Sequence, residues 1–289
     1  MPNDLKHRRA APGSYAPNGI ITRKYIVYRL TIMGLCWDQI IGTVQAAPDR
    51  SIFLWQPCGH NPVGIGLTKE QWKEIGYHSK RKSLLTLFDM AYQGTESGDP
   101  DLDAWPIRYF ADQKLEFLLN TTFSKSMGLY SERVGSLLGV FNSVSVRQAI
   151  ADKSEKLVRW EYSNPPAYGA QLAGLILSDD ALRDVWYQDV AWMARRLRKD
   201  RASLRQRILQ HLESKFTEAS TCDRKWDGLE AERGFFSLLP LSSQQVDYMK
   251  THHGVVLQAN GRINIAGLRE SILDKVALAI ADASMKDLA

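Results

Sequence analysis

Three short apolar runs, each ending in polar residues and each separated from the next by a helical stretch, set the tightest limit on how this chain can fold. They are "SIFLWQP" (51–57), "SLLTLFD" (83–89) and "LEFLLNTTF" (115–123). Runs of this length and apolarity read as strands buried in a sheet. Between the first two, "TKEQWKEIGYHSKRK" places Thr68 three residues before Gln71, a capping-box spacing that opens an amphipathic helix. Between the second and third, "PIRYFADQ" reads as another helix. Strands alternating with helices predict an α/β fold with a largely parallel sheet covered on both faces, and ligands of such sheets bind beyond the carboxyl ends of the strands.

Polar residues gather at those ends. "HNPVG" follows the first strand, Asp89 ends the second with Tyr92 just beyond, and Lys125 lies past the third. Three strands would therefore deliver His60/Asn61, Asp89/Tyr92 and Lys125 to one edge. Around this unit, "KYIVYRL" (24–30) and "RVGSLLGVFN" from Arg133 read as strands, and "WDQIIGTVQAA" (37–47) as a helix. A long helix is expected over 179–214, capped by Asp179 or Asp180. It leads to a small α+β region with a strand in "RGFFSLLPL", a helix in "SSQQVDYMKTHH", a strand pair around "VVLQANGRINIAG" and a C-terminal helix in "ESILDKVALAIADASM".

Composition excludes some partners. Lys and Arg number 37 against 32 Asp and Glu, and the densest basic run, from Arg195, carries helix-forming Leu and Ala, so it reads as the solvated face of a helix and not as a nucleic-acid surface. No apolar run reaches the roughly 18–20 residues that cross a bilayer. Cys36, Cys58 and Cys222 are odd in number and lack metal-ligand spacing, so neither a disulfide framework nor a metal site is expected and a reducing compartment is.

By residue type alone each polar position has two readings. Lys125 is either a surface lysine in a hydroxyl-rich loop or an amine whose lowered pKa lets it condense with an aldehyde. Arg133 can supply the positive charge that lowers it, or grip a phosphate together with Thr122 and Ser124. Asp89 caps a turn or faces a pyridinium nitrogen. Tyr92 packs as an aromatic or donates to a ring oxygen. Asn61-Pro62 can be a plain turn, "WEYSNPPAYG" (160–169) a plain loop, and Arg159 and Arg262 surface charges or forks for carboxylates.

The blocks "HNPVGIGLTKEQWKEI", "FDMAYQGTESGDPDLDAWPIRYF", "TTFSKSMGLYSERVG", "YSNPPAYGA" and "GRINIAGL" resemble, in family order, the aspartate and aromatic amino-acid aminotransferases, pyridoxal-phosphate enzymes of fold type I. The resemblance covers roughly residues 24–285 and implies a function for each position. Lys125 would carry the cofactor as a Schiff base and shuttle the substrate proton, and Asp89 would pair with the pyridine nitrogen. Tyr92 and Asn61 would bond the ring oxygen, with Asn61 also facing substrate. Thr122, where the family usually has serine, and Arg133 would hold the phosphate. Arg262 would bind the substrate α-carboxylate, and Arg159 a side-chain carboxylate across a homodimer.

The resemblance further implies amino-acid and 2-oxo-acid substrates, no nucleic acid or membrane partner, and a cytoplasmic location with a mitochondrial alternative. Three regions are expected: a flexible segment 1–23, a partial large cofactor-binding domain 24–190 and a small C-terminal domain 191–289. The family's N-terminal arm, its phosphate-cradling helix N-terminus and a ring-stacking aromatic have no counterpart in these blocks. The expected fold is therefore a fold type I large domain truncated at its N-terminal side. An impaired homologue, or another pyridoxal-phosphate reaction such as β-elimination, stays open beside transamination.

Overall fold

The computed structural model describes residues 4–6, 26–29, 34–213 and 223–286, which leaves most of segment 1–23, and Cys222, outside the described residues. Asp4–Lys6 (β1), Ile26–Arg29 (β2) and Gly34–Leu35 (β3) form a small antiparallel sheet. Asp4–Lys6, inside segment 1–23, is the described part of it and pairs with β2. One expectation changes here: the strand expected over 24–30 joins β1 and β3 and not the parallel sheet.

Helix α1 (Trp37–Ala46) follows and leads into the main sheet. Its strands are β4 (Ile52–Trp55), β5 (Leu85–Met90), β6 (Phe117–Thr122) and β7 (Gly135–Val140), in spatial order of sequence. The first three are mutually parallel, and β7 runs antiparallel to β6 with Thr122 opposite Gly135. Helix α2 (Lys69–Arg81) connects β4 to β5, and α3 (Trp105–Asp112) connects β5 to β6. The capping box that starts α2 is realised: Thr68 Oγ1 accepts from the Gln71 N–H, and the Gln71 side chain accepts from the Thr68 N–H.

Alternation along the strands fixes which side chains go inward. Thr86, Phe88 and Met90 of β5 are buried, while Leu85, Leu87 and Asp89 on the other face are only partly covered. The buried face packs on α1, α2 and α3 through an aromatic cluster centred on Trp72. Its ring lies 5.9 Å from Trp55, 5.8 Å from Phe88 and 6.3 Å from Phe110. Trp72 is 2% exposed. Emptying that volume is expected to cost about 3–5 kcal/mol, so Trp72→Ala should lower the urea midpoint by the corresponding amount, where a surface tryptophan would leave it unchanged.

A sheet covered on both faces would show continuous burial along its strands. Among the described residues only one face is closed in that way. After β6 the chain makes the short turn α4 (Phe123–Ser126), then β7, then helices α5 (Val144–Glu161) and α6 (Tyr168–Ser178). No residue of α5 is buried, and five of the six residues of β7 are exposed. Stretch 160–169, expected as a loop, contains the end of α5 and the start of α6.

Helix α7 (Asp180–Glu213) is the long helix expected over 179–214, and the Asp179 carboxylate accepts from the Leu182 N–H at its start. Its buried residues, Val190, Ala194, Leu197, Arg201, Leu204, Ile208 and Leu212, recur three or four apart and form one stripe. That stripe packs into a second core with β8 (Phe236–Leu238), α8 (Ser243–Tyr248), β9 (Arg262–Asn264) and α9 (Glu270–Ser284).

Two readings are corrected in this region. The basic run of α7 is not wholly solvated: Arg201 is 1% exposed and donates to the Phe236 carbonyl at 2.8 Å, and Arg196 donates to the Leu268 carbonyl. Burial lowers the Arg201 pKa to about 10, and burial raises that of neighbouring Glu232 to about 8. The second correction concerns the strand pair expected around 255–264. Strand β9 pairs instead with β8, in a register that sets Ile263 opposite Ser237 and Leu238 opposite Arg262, so that Ile263 is buried in the second core and Leu238 on the other face against Val63.

Candidate active site

Because β4, β5 and β6 are parallel, the segments that follow them emerge at one edge of the sheet. The turn after β4 carries Asn61, the end of β5 carries Asp89 and then Tyr92, and α4 carries Lys125. The antiparallel direction of β7 brings its start to that same edge, so Arg133 lies there too; a parallel strand would have placed it at the far end.

Side chains at this edge form a continuous chain of contacts. The Lys125 Nζ sits over the Tyr92 ring, 5.2 Å from its centre, with the Tyr130 ring at 6.0 Å. The Asn61 side chain faces the Tyr92 hydroxyl and favours its ionised form, and the Asn61 Oδ1 accepts from Arg262 Nη1 at 2.9 Å across 201 residues of sequence. The Arg262 guanidinium lies 4.5 Å from the centre of the Phe236 ring, which meets Tyr92 edge-on at 5.8 Å. The second core thus contributes Arg262 and Phe236 to a site whose other members come from the sheet.

Burial is the main cause that raises the Tyr92 hydroxyl pKa, with Tyr130 and Asp89 adding to it, while Asn61 and Arg262 oppose it. Burial also raises that of Tyr130. Both phenols therefore stay protonated, and available as donors, well above neutral pH. The turn that presents Lys125 is fixed from two sides. Thr122 Oγ1 caps it by accepting from the Ser124 N–H, and the Trp186 indole N–H of α7 donates to the Ser126 carbonyl at 2.8 Å.

Thr122 Oγ1 also reaches the Val134 carbonyl at 3.2 Å, next to Arg133, whose guanidinium is exposed and donates to the Tyr130 carbonyl. Asn61 is further held through its N–H, which donates to Gln56 Oε1 at 2.7 Å. Arg159 stays outside this group. It is exposed on α5 and bonds to Ser163 Oγ. Phe236, Tyr130 and Trp186 were not anticipated: Tyr130 lies inside the Lys125 block and could have been noted, but nothing local in the sequence marks Phe236 or Trp186.

The order of these segments along the chain is that of a known family, whose model, described as Aminotransferase class I and II, matches residues 18–280. The chain belongs to this aminotransferase family. Among its relatives, the cytoplasmic aspartate aminotransferase of Caenorhabditis elegans is 40% identical over 243 residues, which are 84% of this chain and 57% of that protein. The mitochondrial aspartate aminotransferase of Schizosaccharomyces pombe is 37% identical over 253 residues, 88% of this chain and 56% of that protein. Among solved structures, the aromatic-amino-acid aminotransferase of Burkholderia pseudomallei, covalently bound to pyridoxal phosphate, matches with a TM-score of 0.87 at 30% identity. That match covers 94% of this chain and 66% of the other.

The chain thus has the fold of the fold type I pyridoxal-phosphate enzymes and spans a little more than half the length of the curated relatives it matches. No helix among its described residues is long and apolar enough to cross a membrane.

Proposed function

We propose that this aminotransferase moves an amino group between an amino acid, either aspartate or glutamate or an aromatic one, and a 2-oxo acid, using pyridoxal phosphate held on Lys125. The observation that carries the proposal is the convergence of Lys125, Tyr92, Asn61 and Arg262 at the carboxyl edge of three parallel strands, in an aminotransferase-family chain. Pyridoxal phosphate, when bound, supplies an aldehyde to condense with amines and a ring that withdraws electrons from the substrate Cα.

What supports that cofactor is the donor set. A primary amine, a carboxylate, a phenol and an amide lie at one edge for the ring, with a hydroxyl at the end of β6 and a guanidinium just before β7 for the phosphate. Lys125 is the covalent anchor and carries the proton to and from the substrate Cα. Asp89, on the strand face opposite the aromatic core, keeps the pyridine nitrogen protonated. Tyr92 and Asn61 donate to the ring oxygen, and Thr122 and Arg133 bind the phosphate.

Arg262 grips the α-carboxylate with its planar fork, oriented by Asn61 and by the Phe236 ring beneath it. Arg159 serves a side-chain carboxylate of the neighbouring subunit's substrate in a homodimer, in keeping with its exposure. We take the sheet region up to about residue 190 as the large lobe and the remainder as the small one. Relatives named for both compartments support a cytoplasmic or a mitochondrial location.

The test is amino transfer from aspartate to 2-oxoglutarate by the purified chain with added pyridoxal phosphate, followed as oxaloacetate and glutamate formed in equal amounts. Equal formation is the expected result. Loss of the amino group as free ammonia, with no glutamate, would replace transamination by an elimination.

A further inference from the structure

One carboxylate near the site has no part in the proposed chemistry. Glu96 lies in the turn after β5, and its backbone is anchored from two directions: its N–H donates to Asp103 Oδ2 at 3.2 Å, and Arg198 of α7 donates to its carbonyl at 3.4 Å. From that base the side chain reaches beneath both ends of the loop that carries Asn61. At the loop's start, Glu96 Oε2 accepts from the Gly59 N–H at 2.6 Å. At its end, the carboxyl packs so closely on Gly66 that a Cβ there would meet Oε1 at 2.8 Å.

The loop has no slack at Gly59. Its φ is +57°, and a Cβ would lie 2.6 Å from the Tyr92 Cβ, so the backbone rests directly on the tyrosine that partners Asn61. The far side of the loop is bonded to the second core, where the Arg233 N–H donates to the Gly64 carbonyl at 2.6 Å. Glu96 therefore supplies a sheet-side grip on a segment that is also attached at Gln56, at Arg262 and at the approach to β8.

The geometry points to Glu96 as a positioning residue that seats the Asn61 loop, and so holds Asn61 at Arg262 and, in the function proposed above on which this part rests, at the cofactor's ring oxygen. The groups that face its carboxyl are the Asp103 carboxyl from the turn before α3, the Arg233 guanidinium from the approach to β8 and the buried Cys58 thiol of the loop itself. Arg198 approaches from α7 on the backbone side.

Burial, chiefly, with Asp103 adding to it, raises the Glu96 pKa to about 7, against the opposing pull of the Gly59 N–H and Arg233. The seated loop therefore favours the protonated acid, whereas an unseated, solvated Glu96 titrates near 4.5. It follows that seating is complete below about 4.5 and weakens as pH rises through about 7.

Glu96→Gln keeps the acceptor and stays neutral, and Glu96→Ala removes the acceptor. The direct readout is the hydrogen-exchange protection of the Gly59 amide in the full chain without cofactor. It should fall by about 10-fold from pH 5 to pH 8 in the parent protein, stay high and flat in the Gln variant, and be about 10-fold lower and flat in the Ala variant. The second readout is the dissociation constant of pyridoxal phosphate, expected about 10-fold weaker for Glu96→Ala and within about 2-fold of the parent for Glu96→Gln at pH 7. Equal Gly59 protection in all three proteins, or equal loss in both variants, overturns the inference. If protection follows the expected pattern but not even the parent chain takes up pyridoxal phosphate, the seating by Glu96 stands and the function proposed above falls.

Discussion

Replacing Lys125 by alanine is expected to remove amino transfer, lowering kcat by at least about 10³-fold while the thermal midpoint stays close to that of the parent chain. Two contributions vanish together. In the function proposed above the amine is the covalent anchor, and the same amine moves the Cα proton, a step for which a positioned side chain is worth about 10²–10⁴-fold. Lys125 is partly exposed and packs over the Tyr92 and Tyr130 rings without filling a core position, so its loss opens no large cavity. Addition of a free primary amine should restore part of the proton transfer in the alanine variant. A merely structural lysine would show no such rescue.

The second large effect is expected at Arg262. Arg262→Ala should lower kcat/KM for an amino-acid substrate by about 100-fold, because the charge-assisted fork proposed for the α-carboxylate is lost and the Asn61 Oδ1 loses its donor. Arg262→Lys should recover only part of this, leaving about a 10-fold deficit, since an ammonium keeps the charge but neither the bidentate geometry nor the planar packing on Phe236. In both variants the affinity for pyridoxal phosphate should change far less than kcat/KM. A matched fall in cofactor affinity would instead place Arg262 in the scaffold of the cofactor site.

The strongly periodic elements were the legible ones. Helix α2 announced itself by Thr68 and Gln71, and the three parallel strands by apolar runs ending in polar residues, because each of those signals is made by contacts within a few residues. The site was legible for the same reason at Asn61, Tyr92 and Lys125, which the sheet's own topology carries to one edge. Helix α5 was missed: none of its residues is buried, so it has no inward apolar stripe for a pattern to catch.

The other misses are matters of long-range geometry. The run at 133–142 reads as a strand in either direction, and only its pairing, Thr122 against Gly135, makes β7 antiparallel and brings Arg133 to the site. Similarly, "RINIAG" reads as a strand, yet its partner lies at 236–238 and not in the adjacent apolar "VVL". Arg201 was read with its charged neighbours as solvated, although its position falls on the buried stripe of α7 between Leu197 and Leu204. Glu96 escaped attention because its partner, Gly59, lies 37 residues away and offers only a backbone N–H.

The central claim is that Lys125 holds the cofactor covalently, and one measurement bears on it most directly. The full chain is incubated with saturating pyridoxal phosphate, reduced with borohydride, digested and mapped by mass spectrometry. The account predicts a single pyridoxyl group, on the Lys125 peptide, absent from the Lys125→Ala variant. A chain that carries no pyridoxyl group at saturating cofactor, or carries it scattered over surface lysines with Lys125 unmodified, would contradict the account.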